Sequence, residues 1–339
     1  MLTVQKVTSI AFSIHDGKVK LRKEEKLTKT QEREVVRETP SLLEFLSYLF
    51  HFQSVLCGPL CFYSDYISFI DGTHYDANSN QYQPAVRSKL FTTSVCLAVC
   101  ILISPRWEPS QMMSEELHSL PFPLWYLYLS ITVSLCRLPY YFAWSFADAI
   151  HNASGFGFNG YDEKTGEEKW DLVTNISISG FELANSWKEM LDNWNISTMA
   201  WLRRVAYERT PPRIRTGATF LLSAWWHGFF PGYYIMFATG AVVTIAARWV
   251  RRCLRHRFVG DAKLKLLYDA ITFTATRIIT PYVTFPFVFV WFWPTINTYL
   301  EIYFCGHILC ALAVFVLPKV LPPLPKAAAT TATVHQKEQ

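Results

Sequence analysis

Residues 219–250 run apolar for about thirty positions, interrupted only by His227-Gly228 and Pro231-Gly232, with arginines on both flanks. A stretch of that length matches the roughly 20 helical residues that a ~30 Å hydrocarbon core demands. Comparable apolar blocks recur from about residue 42 to 318, and only 17% of the chain is charged, against roughly 25% in an ordinary soluble protein. The pattern predicts one all-α unit, a multi-pass transmembrane helical bundle with kinked and re-entrant helices. Equal positive charge at both flanks of 219–250 favours an even number of crossings, which admits a broken hairpin; one long kinked helix is the competing reading, and the sequence does not separate the two.

The rest of the chain can be taken in order. Residues 1–17 are moderately apolar but too short and too interrupted to span a bilayer alone, and residues 18–41 are densely charged. Together, 1–41 read as a short apolar segment followed by a cytosolic loop. Residues 42–318 form the membrane core and 319–339 a Pro- and Ala-rich disordered tail. Within the core, 42–70 is aromatic-rich and broken at Gly58-Pro59, which predicts a re-entrant or broken segment, and 71–87 reads as a loop. Spans are predicted over 90–104 and over 123–150, the latter broken at Arg137-Leu-Pro139. Two more are predicted over 266–293, kinked at Pro281 and Pro286, and over 296–317. Between them, 173–201 carries Ile176, Ile178, Phe181, Leu183, Trp187, Leu191 and Trp194 at spacings of two to four, as in an amphipathic helix lying along or dipping into the membrane.

The net charge of +5 is concentrated in blocks at 18–37, 202–215 and 248–265 beside apolar runs, a layout of cytoplasmic loops and lipid headgroup contact rather than of nucleic-acid binding. Eight cysteines lie mostly in apolar runs without a CxxC pair, so neither zinc ligation nor a disulfide framework is expected. No cleavable secretory signal is expected in residues 1–20. Gly155, Gly157 and Gly160 spell GxGxxG, but no strand pattern precedes them and no helix pattern opens on them, so a glycine-rich loop is the reading rather than a dinucleotide site.

An imidazole within membrane-like sequence is costly unless buried, partnered or used. His227 follows Trp225-Trp226 and precedes Gly228, so aromatics wall the ring while a small residue leaves room for approach. Imidazole is the usual group for taking a proton from a hydroxyl; a structural histidine bonded to a neighbouring helix is the alternative. His51 and His307, each inside an apolar run, are rivals. Asn195, 32 residues before His227, offers a carboxamide to an oxyanion or to an acceptor hydroxyl. It could equally cap a helix or be a glycosylation acceptor, as could Asn152 and Asn175, which also open N-x-S triplets. No GxSxG elbow is present, which argues against a covalent acyl-enzyme.

These residues resemble the membrane-bound O-acyltransferase family, and within it the lysophospholipid acyltransferase branch. The matching pieces are Phe52-Gln-Ser-Val-Leu-Cys-Gly-Pro59, Ser154-Gly-Phe-Gly-Phe-Asn-Gly160, Asp192-Asn-Trp-Asn-Ile196, Trp201-Leu-Arg-Arg204, Tyr207-Glu-Arg209, Trp226-His-Gly228 and Pro231-Gly-Tyr-Tyr234. The resemblance implies a multi-pass protein of the endoplasmic reticulum membrane that uses acyl-coenzyme A as co-substrate, with no bound cofactor and no metal. It further implies a lysophospholipid acceptor (lysophosphatidylethanolamine, lysophosphatidylserine or lysophosphatidylcholine), His227 and Asn195 as the catalytic pair, and Trp194, Trp226 and Tyr233 as substrate-contacting walls. Arginines in 203–215 could attract the coenzyme's phosphates, with a solvated positive-inside loop as the simpler alternative. Family members carry membrane helices before the stretch that residues 1–17 resemble, so the chain is expected to be a form short of its N-terminal part. The competing readings are an acyltransferase for a sterol, diacylglycerol or peptide acceptor, and a non-catalytic membrane protein; headgroup, acyl chain and oligomeric state stay open.

Overall fold

A computed structural model describes residues 1–20, 23, 25–55, 58–74, 82–103 and 106–323. Of the tail expected to be disordered over 319–339, residues 324–339 lie outside them, as does the end of the 90–104 span at Ser104; Lys319 and Val320 instead close a short helix, Leu317–Val320. The described residues are helical apart from loops and two isolated β-bridges, Tyr161 with Glu168 and Ile176 with Trp194. Two compact units divide the chain: Met1–Phe181 with Asp192–His227, and Glu182–Leu191 with Gly228–Gln339.

The first unit begins with α1 (Leu2–His15), whose buried face carries Gln5, Lys6, Ser9 and Ser13 while Val4 and Val7 are exposed. Apart from Ile10 the inward face is therefore polar, and Gln5, Lys6 and Ser13 find partners outside α1. Gln5 donates to Thr198 Oγ1 at 2.9 Å, and Lys6 Nζ donates to Tyr48 O at 2.8 Å and to Ser54 Oγ at 2.9 Å. Burial lowers the Lys6 pKa. The region 42–70 resolves into α2 (Leu42–Leu49), Phe52–Val55 and α3 (Tyr63–Ile70). α2 opens on a capping box in which Ser41 and Glu44 satisfy each other's backbone N–H groups. Tyr48, Tyr66, Cys61, Phe156, Ile10 and Val173 form a core between these pieces.

α4 (Tyr82–Leu102) has 21 residues and starts earlier than its apolar run, inside the stretch 71–87 expected as loop; Pro84 falls in its first turn, where no intrahelical N–H bond is lost, and Ala85, Arg87 and Lys89 are good helix formers. It packs along α6 (Leu138–Ala153), and Lys89 pairs with Asp148 at 2.7 Å. The span expected over 123–150, broken at Arg137-Leu-Pro139, is α5 (Phe122–Leu135) followed by α6; the break falls at Cys136-Arg137, with Pro139 in the first turn of α6. The glycine-rich residues 155–160 follow a helix and fold back on 167–172, with Asn159 N donating to Lys169 O and Leu172 N to Gly157 O. They form a loop, as expected.

The amphipathic helix expected over 173–201 is instead three short helices, Ile178–Glu182, Trp187–Asp192 and α7 (Ile196–Leu202). Local caps explain the breaks: Ser186 Oγ accepts from Glu189 N, and Glu189 Oε2 accepts from Asn185 N. A π-turn, Arg203–Tyr207, then leads to α8 (Arg215–His227).

In the second unit, α9 (Pro231–Leu254) opens with proline at its first position and packs against α10 (Ala262–Phe289) and α12 (Cys305–Phe315). Asp261 caps α10 by accepting from Lys263 N and Leu264 N. Pro281 and Pro286 lie inside α10, as expected, and the helix ends at Val290. Gly232 N donates to Val290 O at 2.8 Å; a Cβ at Gly232 would lie 2.2 Å from Pro286 O, so only glycine allows this approach. The stretch 219–250 is thus two helices separated at Gly228–Phe230. The span expected over 296–317 is also divided, into α11 (Phe292–Glu301) and α12, bent by 71°. By length and composition, α4 and Pro231–Arg257 can cross a membrane, and the bent pair makes a third if it is one span.

Candidate active site

Asn195 immediately precedes α7 in a left-handed backbone conformation, φ 48° and ψ 52°, which asparagine tolerates better than most residues. Its side chain makes no capping bond to α7, which sets aside the helix-cap reading. Its Oδ1 instead accepts from Asn175 Nδ2 at 3.1 Å. Asn175 is buried, 3% exposed, and also ties down the start of α7: its Oδ1 accepts from Ser197 N and Oγ, and its carbonyl accepts from Ile196 N. Asn152 is fully buried as well, so neither side chain is presented as a glycan acceptor.

His227 is the last residue of α8. Gly228 follows with φ +124°, a conformation that an L side chain rarely adopts, so the small residue after the imidazole is required by the backbone. Trp226 meets the His227 ring at a centroid distance of 4.6 Å, nearly edge to face, and its Nε1 donates to Met1 O. Trp226 also packs on Trp201 of α7, with ring centroids 5.8 Å apart, in a cluster with Leu60 and Leu202. Trp201 is held in turn by Thr8 Oγ1, which accepts from its Nε1 at 2.9 Å. Asn195 and His227 therefore sit at the ends of two helices of one unit that share a core. Trp201 lies six residues after Asn195, about 9 Å along α7.

The remaining expected wall residues divide. Trp194 packs in an aromatic box with Tyr140, Tyr141, Trp144 and Phe181, at centroid distances of 5.1 to 6.0 Å. Tyr233 belongs to the second unit, where its ring lies 4.5 Å from Phe287 and 5.7 Å from Phe230.

The rival histidines are engaged elsewhere. His307 uses both ring nitrogens, Nδ1 with Tyr282 Oη at 2.6 Å and Nε2 with Thr239 Oγ1 at 3.1 Å. That leaves it no free nitrogen for proton abstraction in this arrangement. His51 is buried among Tyr66, His151 and Phe156, with Ser54 Oγ 3.4 Å from its Nδ1.

The arginines of 203–215 are not the uniformly solvated loop that was expected. Arg204 is 1% exposed, ion-paired with Glu34 and bonded to Ser13 Oγ; Arg209 grips both carboxylate oxygens of buried Asp16 at 3.0 and 2.6 Å. These two guanidiniums fasten the connector to α1 rather than awaiting a phosphate.

Sequence reasoning passed over Asn175 as a possible sequon. The available signal was a carboxamide in a stretch where Val173, Ile176 and Ile178 alternate with small polar residues, so that burial of the apolar side chains brings the amide close to the core, where it needs a partner.

The model of the MBOAT, membrane-bound O-acyltransferase family, matches residues 2–285. The chain belongs to this family. It is 43% identical over 340 residues to lysophospholipid acyltransferase 6 of Drosophila melanogaster, a match that takes in 95% of this chain and 46% of the relative. It is also 43% identical over 338 residues to human membrane-bound glycerophospholipid O-acyltransferase 2, covering 94% and 64%. A lysophospholipid acyltransferase of Schizosaccharomyces pombe is 31% identical, covering 94% and 66%. The chain thus spans between about half and two thirds of the length of these relatives.

Proposed function

We propose that the protein transfers a fatty acyl group from acyl-coenzyme A to the free hydroxyl of a lysophospholipid in the endoplasmic reticulum membrane. His227, as neutral imidazole, takes the hydroxyl proton while the oxygen attacks the thioester carbonyl carbon. Asn195 stabilises the resulting oxyanion through its carboxamide N–H groups. As the intermediate collapses, the C–S bond breaks and the imidazolium returns its proton to the departing thiolate, leaving the ring neutral. No covalent acyl-enzyme is formed.

What supports this reading is that His227 and Asn195 lie on two helices of one unit that meet through Trp226 and Trp201, in a chain of this family. Both relatives at 43% identity bear names of phospholipid acyltransferases. The test is acylation of a panel of lysophospholipids, diacylglycerol and sterol by microsomes containing the chain, with labelled oleoyl-coenzyme A as donor. Label is expected in phospholipid, and His227→Ala is expected to lower the rate by at least ~10²-fold at unchanged protein level. An undiminished rate in that variant, or label only in the neutral acceptors, overturns the proposal.

A further inference from the structure

The hydrogen bonds around Asn175 have a fixed direction. Ser197 N–H can only donate, and it points at Asn175 Oδ1 at 3.0 Å. The Ser197 hydroxyl accepts from Leu60 N at 3.2 Å, so its single hydrogen is free for Asn175 Oδ1, 2.7 Å away. Asn175 Oδ1 is therefore the acceptor, set by two backbone N–H groups, and Nδ2 is the atom turned to Asn195. A donor there requires an acceptor opposite, which places Asn195 Oδ1 against it at 3.1 Å. The carbonyl half of the Asn195 carboxamide is thus occupied, and the half left for a reacting group is its NH₂. The backbone enforces the same alignment: Ile176 bridges Trp194, and Ile196 N donates to Asn175 O at 2.9 Å.

We propose that Asn175 is a positioning residue that sets the Asn195 carboxamide as a hydrogen-bond donor toward the oxyanion of acyl transfer. This role rests on the reaction assigned above to His227 and Asn195. A preset amide suits that chemistry because a donor aimed before the charge develops loses nothing to reorientation when it does. A carboxamide free to flip would present its carbonyl oxygen to a negative centre part of the time.

Asn175→Asp separates this role from simple support of the fold. The aspartate retains an oxygen to accept from Ser197 N and Oγ but replaces the Nδ2 donor with a second acceptor. Asn195 then turns its NH₂ inward, toward position 175. In microsomal assays of the full chain, kcat is expected to fall by ~10²-fold, as for loss of one oxyanion donor, with KM for the lysophospholipid within about twofold of the parent. Asn195→Ala is expected to show a similar loss. The double variant is expected to be no slower than Asn195→Ala alone, since groups acting as one unit are not additive.

A kcat for Asn175→Asp within about threefold of the parent, or losses that multiply in the double variant, overturns the positioning role. Should the aspartate variant fail to reach the parental level in the membrane fraction, Asn175→Ala replaces it in the same cycle and is read the same way. His227→Ala run alongside tells the two failures apart. An unchanged rate there removes the reaction itself, whereas loss in His227→Ala with none in Asn175→Asp removes only the role of Asn175.

Discussion

The two units bury different kinds of polar group. Among the described residues every buried charged side chain, Lys6, Asp16, Glu34, Asp148 and Arg204, lies in the first unit, whereas the buried polar residues of the second are all threonines. Most of those threonines are satisfied within their own helix: Thr244 donates to Gly240 O, Thr276 to Thr272 O, Thr280 to Thr276 O and Thr298 to Pro294 O. A hydroxyl bonded to the carbonyl four residues back needs nothing from another element. A buried ion has no such recourse and must find a partner wherever the chain supplies one. In the first unit such partners, for neutral groups as well as ions, lie as far as some 190 residues away, as between Gln5 and Thr198, Ser13 and Arg204, or Asp16 and Arg209. The first unit is thus specified by long-range polar pairs and carries the candidate site, while the second relies on aromatic packing and on hydroxyls anchored in their own helices, of which Thr244 also accepts from Trp187 Nε1 and Thr280 lies 3.0 Å from Met190 Sδ.

The largest effect expected from this contrast is at Arg204. Burial lowers its pKa to about 10, so it remains charged at neutral pH opposite Glu34. Arg204→Met leaves the Glu34 carboxylate buried without its partner and is expected to cost ~3–5 kcal/mol. Adding Glu34→Leu removes that orphan and should recover most of the loss. Denaturant unfolding of the purified chain in detergent reads both values. A single-variant cost below ~1 kcal/mol would show that the pair does not specify the first unit.

What was legible in the sequence follows the same division. The break beside Pro139, the interruption at Gly228 and the prolines inside α10 were readable because Pro and Gly act on their own backbone, whereas a hairpin and a kinked helix over 219–250 share the same Pro and Gly signals and were not told apart. His227 and Asn195 stood out as polar groups in apolar surroundings. The polar inner face of α1 did not, because Gln5, Lys6 and Ser13 have meaning only beside α2, α7 and the connector, and residues 1–17 alone look like a weak apolar segment. Arg204 and Arg209 were hidden for the same reason, since a basic connector reads as solvated until Glu34 and Asp16 are known to reach it. The helix expected over 173–201 failed because hydrophobic spacing outweighed the capping signals at Asn185-Ser186, which lie within that stretch.

His307 gives an intermediate case in the second unit, since it is the one described histidine there whose two ring nitrogens bridge separate helices. His307→Phe deprives Tyr282 Oη and Thr239 Oγ1 of their shared partner at similar side-chain size and is expected to cost ~1–3 kcal/mol. Thermal unfolding in detergent provides the measurement, and a loss matching that at Arg204 would erase the distinction between the units.

The smallest effect is expected at Thr298, which is 5% exposed on α11. Its hydroxyl donates to Pro294 O at 2.9 Å, the carbonyl four residues back in the same helix. Thr298→Val keeps the branched shape and removes only this local bond, leaving no buried ion and no stranded donor. The expected cost is under ~1 kcal/mol. The same unfolding experiment decides it: a cost of ~3 kcal/mol or more at Thr298 would mean that the hydroxyls of the second unit are as structurally committed as the ions of the first.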